Sequence, residues 1–549
     1  MRKDPGGRLC VALLYPGPYR LAMSNLGFQY LYAALNSQER ILCERAFLPD
    51  RDELSRYEGG GVRLFTIESL RPVRDFDVAA FSIAFEDDYA NVPFMLELSG
   101  IEPLAERREG APLVVAGGVA VTLNPEPTAP FMDLFHLGEA EGAAVTLFER
   151  IREALELGAS RAELLSALAG LDGVYVPSLY DFGYAGPVVS TISPRPGAPA
   201  RVRAVKNLDL RGFEPPRTAV LTPETEFSSM SLVEIERGCG RGCRFCAAGF
   251  VYLPPRMREE GDVAAAIDAG IDAAGRVGLV GAAVSEYPAV KDLLRRGAQR
   301  GAGLTLSSVR ADMIDAELVG LLGECGLRTL AMAPEAGSAR LRNVINKGMD
   351  DETLVRAAAL AGEGGIGRLR LYFMVGLPTE TDDDARAAAE LALRMKAAFG
   401  KGDVTVSINP FVPKPVTPFQ WSPFESAAVM ERRLSIIKDA LRAVKGVALK
   451  VESPRRALFQ AALARGDRRL AAALAAVSRL GWRGAFREAG LDPAALACRP
   501  REREELFPWS LIDHGVTDDY LWKEYCRALS EQTTPPCSVG RCTRCGVCR

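Results

Sequence analysis

From about residue 8 to 155, short apolar runs alternate with stretches of helical period. LCVALLY at 9–15, the segments 63–67 and 78–83, and LVVA at 113–116 are short and almost continuously apolar, which predicts strands buried on both faces. Segments 25–35, 91–98 and 143–157 gather their apolar residues on one helical face. Strands and helices alternating in this way predict an α/β unit with a doubly wound parallel sheet. The pattern then breaks. After a helix near 160–170, the Pro- and Gly-rich stretches TISPRPGAPARV and KNLDLRGFEPPRT predict a linker with a small sheet extension.

A second alternation begins at Met230. Strands are predicted at 231–235, 277–284, 304–308, 329–333, 368–375 and 404–408, with helices at 262–274, 289–300, 316–324, 339–345, 353–361 and 382–399. Six parallel strands are enough to curl into a partial (β/α)6 barrel, whose active site would lie at the C-terminal ends of the strands. Residues 426–530 are rich in Ala, Leu and Arg and read as mostly helical, and the chain ends in QTTPPCSVGRCTRCGVCR. The resulting division is 1–155, 156–225, 226–425, 426–530 and 531–549.

Composition narrows the function classes. A formal charge of -3 over 549 residues excludes a uniformly basic nucleic-acid binder. No stretch approaches the roughly 18 apolar residues of a spanning helix, and Pro16 cuts short any leader-like core, so a cytoplasmic chain without a membrane partner is expected. Twelve cysteines in such a chain point to metal ligation or catalysis rather than disulfides. Three lie within 239–246 and four within 537–548. The scattered five (Cys10, Cys43, Cys325, Cys498, Cys526) read mostly as small buried hydrophobes.

Cys239, Cys243 and Cys246 stand in ERGCGRGCRFCAAGF, directly after the first predicted barrel strand. A four-iron cluster ordinarily takes four thiolates, so three leave one iron open to a further ligand. Half a zinc site is the rival, but zinc needs four ligands and the chain has only two histidines, His136 and His514. Gly238, Gly240 and Gly242 suit a tight loop that needs positive φ.

With this triplet the sequence resembles the radical S-adenosylmethionine (SAM) superfamily, over roughly residues 8–425. YFMVGLPTET (372–381) is similar to that superfamily's fifth-strand motif, which implies that the backbone of Gly376, Leu377 and Pro378 lies against adenine. VGAAVSEYP (280–288) stands where the family has its Gly-Gly-Glu motif; alanines replace the glycine pair, leaving Ser285 and Glu286 as candidates for the methionine amine. The resemblance further implies Arg310, in SSVRAD, as partner of the SAM carboxylate, Glu335 for the ribose hydroxyls, and Phe245 for stacking on adenine. It implies a 4Fe-4S cluster at the three cysteines, reductive cleavage of SAM to a 5′-deoxyadenosyl radical, and an electron donor such as flavodoxin or ferredoxin.

The leading sheet is similar to the Rossmann-like cobalamin-binding domain of one branch of the superfamily, on DVAAFSIAFEDDYANVPFML and VVAGGVAVTLNPEPTAPFMDLFHLGEAEGA, with Gly117 and Gly118 at a strand end where a ligand can approach. That branch's Asp-x-His-x-x-Gly loop is absent. FVPKPVTPFQW (411–421) and the terminal cysteines place the chain near a group of bacterial radical proteins with this domain order. Methyl transfer to, or modification of, an unreactive carbon is the expected reaction, with methyltransferase-like or methylthiotransferase-like chemistry and RNA or another macromolecule ahead of a metabolite as substrate. A cobalamin-independent radical oxidation or rearrangement and a non-catalytic iron–sulfur or zinc scaffold remain as alternatives. Cys537, Cys542, Cys545 and Cys548 suit a second 4Fe-4S cluster or a four-thiolate zinc site. Arg455, Arg456, Arg465, Arg468 and Arg469 read as a solvated helix face, with phosphate contact as the rival.

Overall fold

The computed structural model describes residues 3–59, 61–110 and 112–548. Its first unit is a six-stranded sheet of β1 (Leu9–Tyr15), β2 (Ile41–Phe47), β3 (Val78–Ser82), β4 (Leu113–Gly117), β5 (Leu134–His136) and β6 (Val174–Tyr175) in the order β2-β1-β3-β4-β5-β6. The first five are parallel, and β6 closes the edge antiparallel to β5. Every residue of β1 and β2 is buried. One face packs under the helices Leu26–Ser37, Ala143–Glu156 and Arg161–Leu168. Asn25 caps the first of these through Phe28 N–H, and a Ser160–Glu163 capping box starts the third.

One expected strand fails here and one unexpected strand appears. Residues 63–67 make only an isolated bridge at Phe65. The strand next to β1 is instead β2, ILCERAF, where Glu44 and Arg45 interrupt the apolar run. Both are buried and paired: Arg45 Nε donates to Glu68 at 2.7 Å, and Thr66 Oγ1 donates to Glu44 at 2.5 Å.

Within the stretch 156–225, Tyr180–Ala185 and Val188–Pro194 form an antiparallel hairpin. The second unit has seven parallel strands: β7 (Ser231–Glu234), β8 (Arg276–Val280), β9 (Gly303–Leu306), β10 (Thr329–Glu335), β11 (Arg368–Val375), β12 (Asp403–Pro410) and β13 (Val447–Val451). They form a three-stranded sheet, β7-β8-β9, and a four-stranded sheet, β10-β11-β12-β13. Among the described residues β9 and β10 share no ladder, so the expected single (β/α)6 sheet is two consecutive parallel sheets. β13 lies inside the stretch read as helical. It is a short edge strand, VALKV, mostly exposed, and its five residues merge with the Ala- and Leu-rich stretch around them.

The C-terminal helices return to the first unit. Pro454–Arg465 and Ala471–Glu488 pack on the turn at Glu86–Ala90, the helix Asn91–Ser99 and the turn Glu126–Phe131, which line the sheet face opposite the leading helices. Asn124 Nδ2 donates to the carbonyls of Ala464 (3.1 Å) and Gly466 (2.8 Å), and Arg468 Nε reaches the buried Glu126 carboxylate at 2.8 Å. Only part of the arginine group is therefore a solvated face: Arg455 and Arg456 are exposed, whereas Arg465 is buried and caps the carbonyls of Gln420 and Ser422. Of the scattered cysteines, Cys10, Cys43 and Cys325 are buried; Cys498 is partly exposed and Cys526 exposed, against expectation. Among the described residues no helix is long and apolar enough to cross a membrane.

Candidate active site

The cysteine loop leaves β7 through a short antiparallel clamp, Glu236–Arg237 against Arg256–Met257. Gly238 (φ 82°) has no room for a Cβ, which would stand 2.2 Å from the Tyr252 carbonyl oxygen. Gly242 is also left-handed (φ 72°). Gly240 is not; there a Cβ would lie 3.3 Å from Cys537 Cβ, so its role is close approach rather than φ. Cys239, Cys243 and Cys246 are free and partly exposed. Burial, and then their mutual charge, raises the Cys246 thiol to about 11; burial also raises that of Cys239.

The groups expected from later strands gather around these thiols. Beyond β8, Ser285 is buried and its Oγ accepts the Arg310 backbone N–H at 3.1 Å, so it positions Arg310. Glu286 faces inward: Arg241 Nε donates to it at 2.7 Å and Arg310 Nε lies 3.3 Å away. Arg310 also donates to Asp312 at 3.0 Å. Burial works against its charge, but the Asp312 bond and the Cys243 and Glu286 charges hold its pKa above the ordinary value. Glu335 ends β10 at φ 67° and accepts a 3.2 Å bond from the partly buried Lys347. Burial opposes the lysine charge, while Glu335 and the Cys243 thiolate sustain it.

Gly376 (φ 86°) turns the chain out of β11, and its N–H donates to Glu380 at 2.5 Å. Glu380 is held by Arg433 at 3.0 Å. Leu377 is buried in a small cluster with Phe411 and Phe419, against which Phe245 packs. Pro378 follows in the same turn.

Three groups were missed in the sequence. Glu236, buried, accepts the Ala283 N–H at 2.7 Å and fills the space beside Gly281; burial pushes its pKa up to about 7. Lys347 was quoted within a motif and given no role. Arg244, between two of the cysteines, is fully buried. An arginine inside a cysteine triplet was the only signal, and it names no partner.

A cavity of about 450 Å³ separates this mouth from the leading sheet, with Gly117, Gly118 and His136 on one wall and Glu236, Arg237 and Gly281 on the other. It sits over the C-terminal strand ends at the β1/β3 switch point of the 2-1-3-4-5 order, where such sheets bind ligands. Gly118 (φ 110°) touches Ile83, whose carbonyl oxygen would be 2.3 Å from a Cβ. His136 is buried, its Nε2 lacks a partner, and burial lowers its pKa to about 4. An ion network ties the two walls: Arg237 reaches Glu139 (3.1 Å), Arg256 reaches Glu139 (2.7 Å), and Arg258 reaches Glu141 (3.0 Å) and Glu234 (2.7 Å).

The terminal cysteines lie beside the same loop. Cys537, Cys542 and Cys545 share a narrow cleft with Cys239, Gly240 and Gly242. Cys548 is near enough to add its charge to theirs. Among the described residues no three His, Cys, Asp or Glu side chains converge on a single point as they would around one metal ion.

Two family models match consecutive parts of the chain, together more than half of it: the N-terminal region of radical SAM proteins over 27–177 and the radical SAM superfamily over 233–392. The chain belongs to the radical SAM superfamily. An uncharacterized protein of Methanocaldococcus jannaschii is 29% identical over 462 residues, covering 84% of this chain and 89% of that one. Among solved structures, the radical SAM methyltransferase TsrM of Kitasatospora setae with cobalamin and a 4Fe-4S cluster bound has a TM-score of 0.48 at 15% identity, covering 73% and 75% of the two chains. The cobalamin-dependent radical SAM enzyme OxsB, with aqua-cobalamin and SAM bound, gives 0.45 at 14% identity, covering 70% and 52%. As a radical SAM enzyme the chain uses a 4Fe-4S cluster and SAM. Its donors fit that pair: three uncommitted thiols, with an arginine, a lysine and two carboxylates at the neighbouring strand ends.

Proposed function

We propose that Cys239, Cys243 and Cys246 hold the 4Fe-4S cluster, that SAM binds among Glu286, Arg310, Glu335 and the backbone of 376–378, and that a corrinoid occupies the cavity over Gly117 and Gly118. The carrying observation is convergence. Thiols from the loop after β7 and charged groups from the ends of β8, β9 and β10 influence one another directly, although they are far apart in sequence. When bound, the cluster and SAM together supply a strongly oxidising carbon radical.

The chain's residues supply the rest. Glu286 offers a carboxylate to the methionine amine and Arg310 a guanidinium to its carboxylate, while Ser285 holds the Arg310 backbone in place. Of the two sequence candidates for the amine, Glu286 is favoured because Ser285 is buried and already bonded. Glycines that let the backbone close on a ligand, and the neutral unpartnered His136 imidazole, suit a corrinoid in the cavity. That reading supports methyl transfer to, or other modification of, an unreactive carbon.

The test is anaerobic reconstitution with iron and sulfide, reduction with dithionite in the presence of SAM, and chromatography of the products. Wild type should release 5′-deoxyadenosine and Cys243→Ala none above background; equal release from both would overturn the site. Hydroxocobalamin retained after desalting, at one per chain, supports the corrinoid, and no retention overturns it.

A further inference from the structure

We propose that Cys537, Cys542, Cys545 and Cys548 hold a second 4Fe-4S cluster docked on the loop of the first, and that this outer cluster is where the electron for SAM cleavage enters. The inference rests on the first cluster being at Cys239, Cys243 and Cys246, and it concerns residues that have no part in binding SAM.

The contact is intimate. Cys537 N–H donates to the carbonyl of Gly240 at 2.6 Å, one residue from Cys239. The two backbones approach closely enough that a side chain at Gly240 would press on Cys537 Cβ. The approach is fixed from beneath by a buried polar network. Arg244, itself between Cys243 and Phe245, donates to Glu524 at 3.1 Å, to the Gln532 carbonyl at 2.7 Å and to Thr534 Oγ1 at 3.2 Å. Asn346 spans the two segments: its Nδ2 donates to the carbonyls of Gly242 and Thr534, each at 3.1 Å, and its Oδ1 accepts the Thr534 N–H at 2.8 Å. A tail with no role at the first cluster would not need such an anchor.

The tail has the chemistry of a thiolate site. Arg544 Nε donates to Cys542 Sγ at 3.2 Å, which sets a guanidinium beside the terminal sulfurs. C-x4-C-x2-C-x2-C is a dense run like those of bacterial iron–sulfur proteins, whereas zinc takes separated ligand pairs. Cys545 is buried toward the protein, while Ser538, Arg541, Thr543 and Arg544 are exposed around it. The site thus has an inner side against the first loop and an outer rim bearing two arginines, suited to an acidic low-potential flavin or iron–sulfur donor protein. Loaded with its cluster, the tail site would take one electron from that donor and supply it to the inner site. That electron is consumed as the sulfonium S–C5′ bond breaks, leaving methionine and the deoxyadenosyl radical.

The full chain is reconstituted anaerobically with iron and sulfide, and iron, sulfide and zinc are measured. Electron paramagnetic resonance spectra are recorded after dithionite reduction for wild type, C239A/C243A/C246A and C542A/C545A/C548A. We expect roughly eight irons in wild type and four in each triple variant, with spin–spin splitting in wild type that both variants lose. Driven by a reduced ferredoxin, the tail variant should make at least tenfold less 5′-deoxyadenosine than wild type. One zinc with roughly four irons in wild type, or a wild-type spectrum lacking splitting, overturns the proposal. Both readouts are made on the unaltered chain, so a variant that fails to fold does not decide the matter. Full iron retained by C239A/C243A/C246A would instead sink the first-cluster reading.

Discussion

Replacing Arg244 with methionine should release the tail from the cysteine loop. The arginine is fully buried and bonds Glu524, the carbonyls of Asn343 and Val344 (3.0 Å each), the Gln532 carbonyl and the Thr534 hydroxyl; Arg527 shares only Glu524 and the Thr534 hydroxyl with it. Methionine keeps most of the volume but leaves the Glu524 carboxylate with only the Thr534 hydroxyl (2.7 Å) and the half-exposed Arg527 (2.9 Å). Removing one partner of a buried ion pair costs about 3–5 kcal/mol, and the remaining partners place this case at the lower end. Because the tail opens locally rather than with the whole chain, the assay is native-state hydrogen exchange. The amides of Thr534 and Cys537, bonded to Asn346 Oδ1 and the Gly240 carbonyl, are the reporters. A loss of about 3 kcal/mol should speed their exchange roughly 150-fold. Arg244→Met combined with Glu524→Gln should lose less than the two single changes summed, since the second removes the charge that the first strands. Unchanged protection at 534–537, or full additivity, would refute the reasoning.

Two further perturbations test the cavity and its walls. Gly118→Ala should destabilise by about 3 kcal/mol through strained φ and collision with the Ile83 carbonyl, while Gly117→Ala, whose Cβ would lie 3.4 Å from the His136 carbonyl oxygen, should be tolerated; thermal midpoints compare them. Glu236 has its pKa raised by burial to about 7, so the folded chain binds a proton that the unfolded chain has released from about pH 4.5 upward. Stability of the metal-free chain should therefore fall between pH 4.5 and 7, by at most about 3 kcal/mol, and Glu236→Gln should flatten that slope in urea titrations. An unchanged slope would rule out Glu236 as its source.

The sequence was most legible where burial is two-sided. β1, β3 and β4 are continuous apolar runs; the strands of the second unit, such as RLRLYFMV, were legible instead from alternation between helical stretches, and their ends place the cysteine loop, Glu286, Arg310 and Glu335 at one mouth. It was least legible where a polar residue is buried because a distant partner neutralises it. β2 was hidden by Glu44 and Arg45, whose partners lie in the loop at 66–69. Arg244 finds Glu524 280 residues away, and no local pattern announces such a pairing. β13 escaped because VALKV is short and stands in an Ala- and Leu-rich stretch whose composition reads as helix.

The return of the last helices to the first sheet also sets an order of events during synthesis. Asn124 must wait for the Gly466 carbonyl, 342 residues later. At roughly 5–20 residues per second, the first unit spends about 20 to 70 s outside the ribosome with the outer side of the helix Asn91–Ser99 uncovered. The segment from Gln532 to Cys537, which bonds Arg244, Asn346 and Gly240, emerges later still, so those contacts with the cysteine loop also form late. Truncated products should accordingly be captured by chaperones rather than released as oxygen-vulnerable half-enzymes.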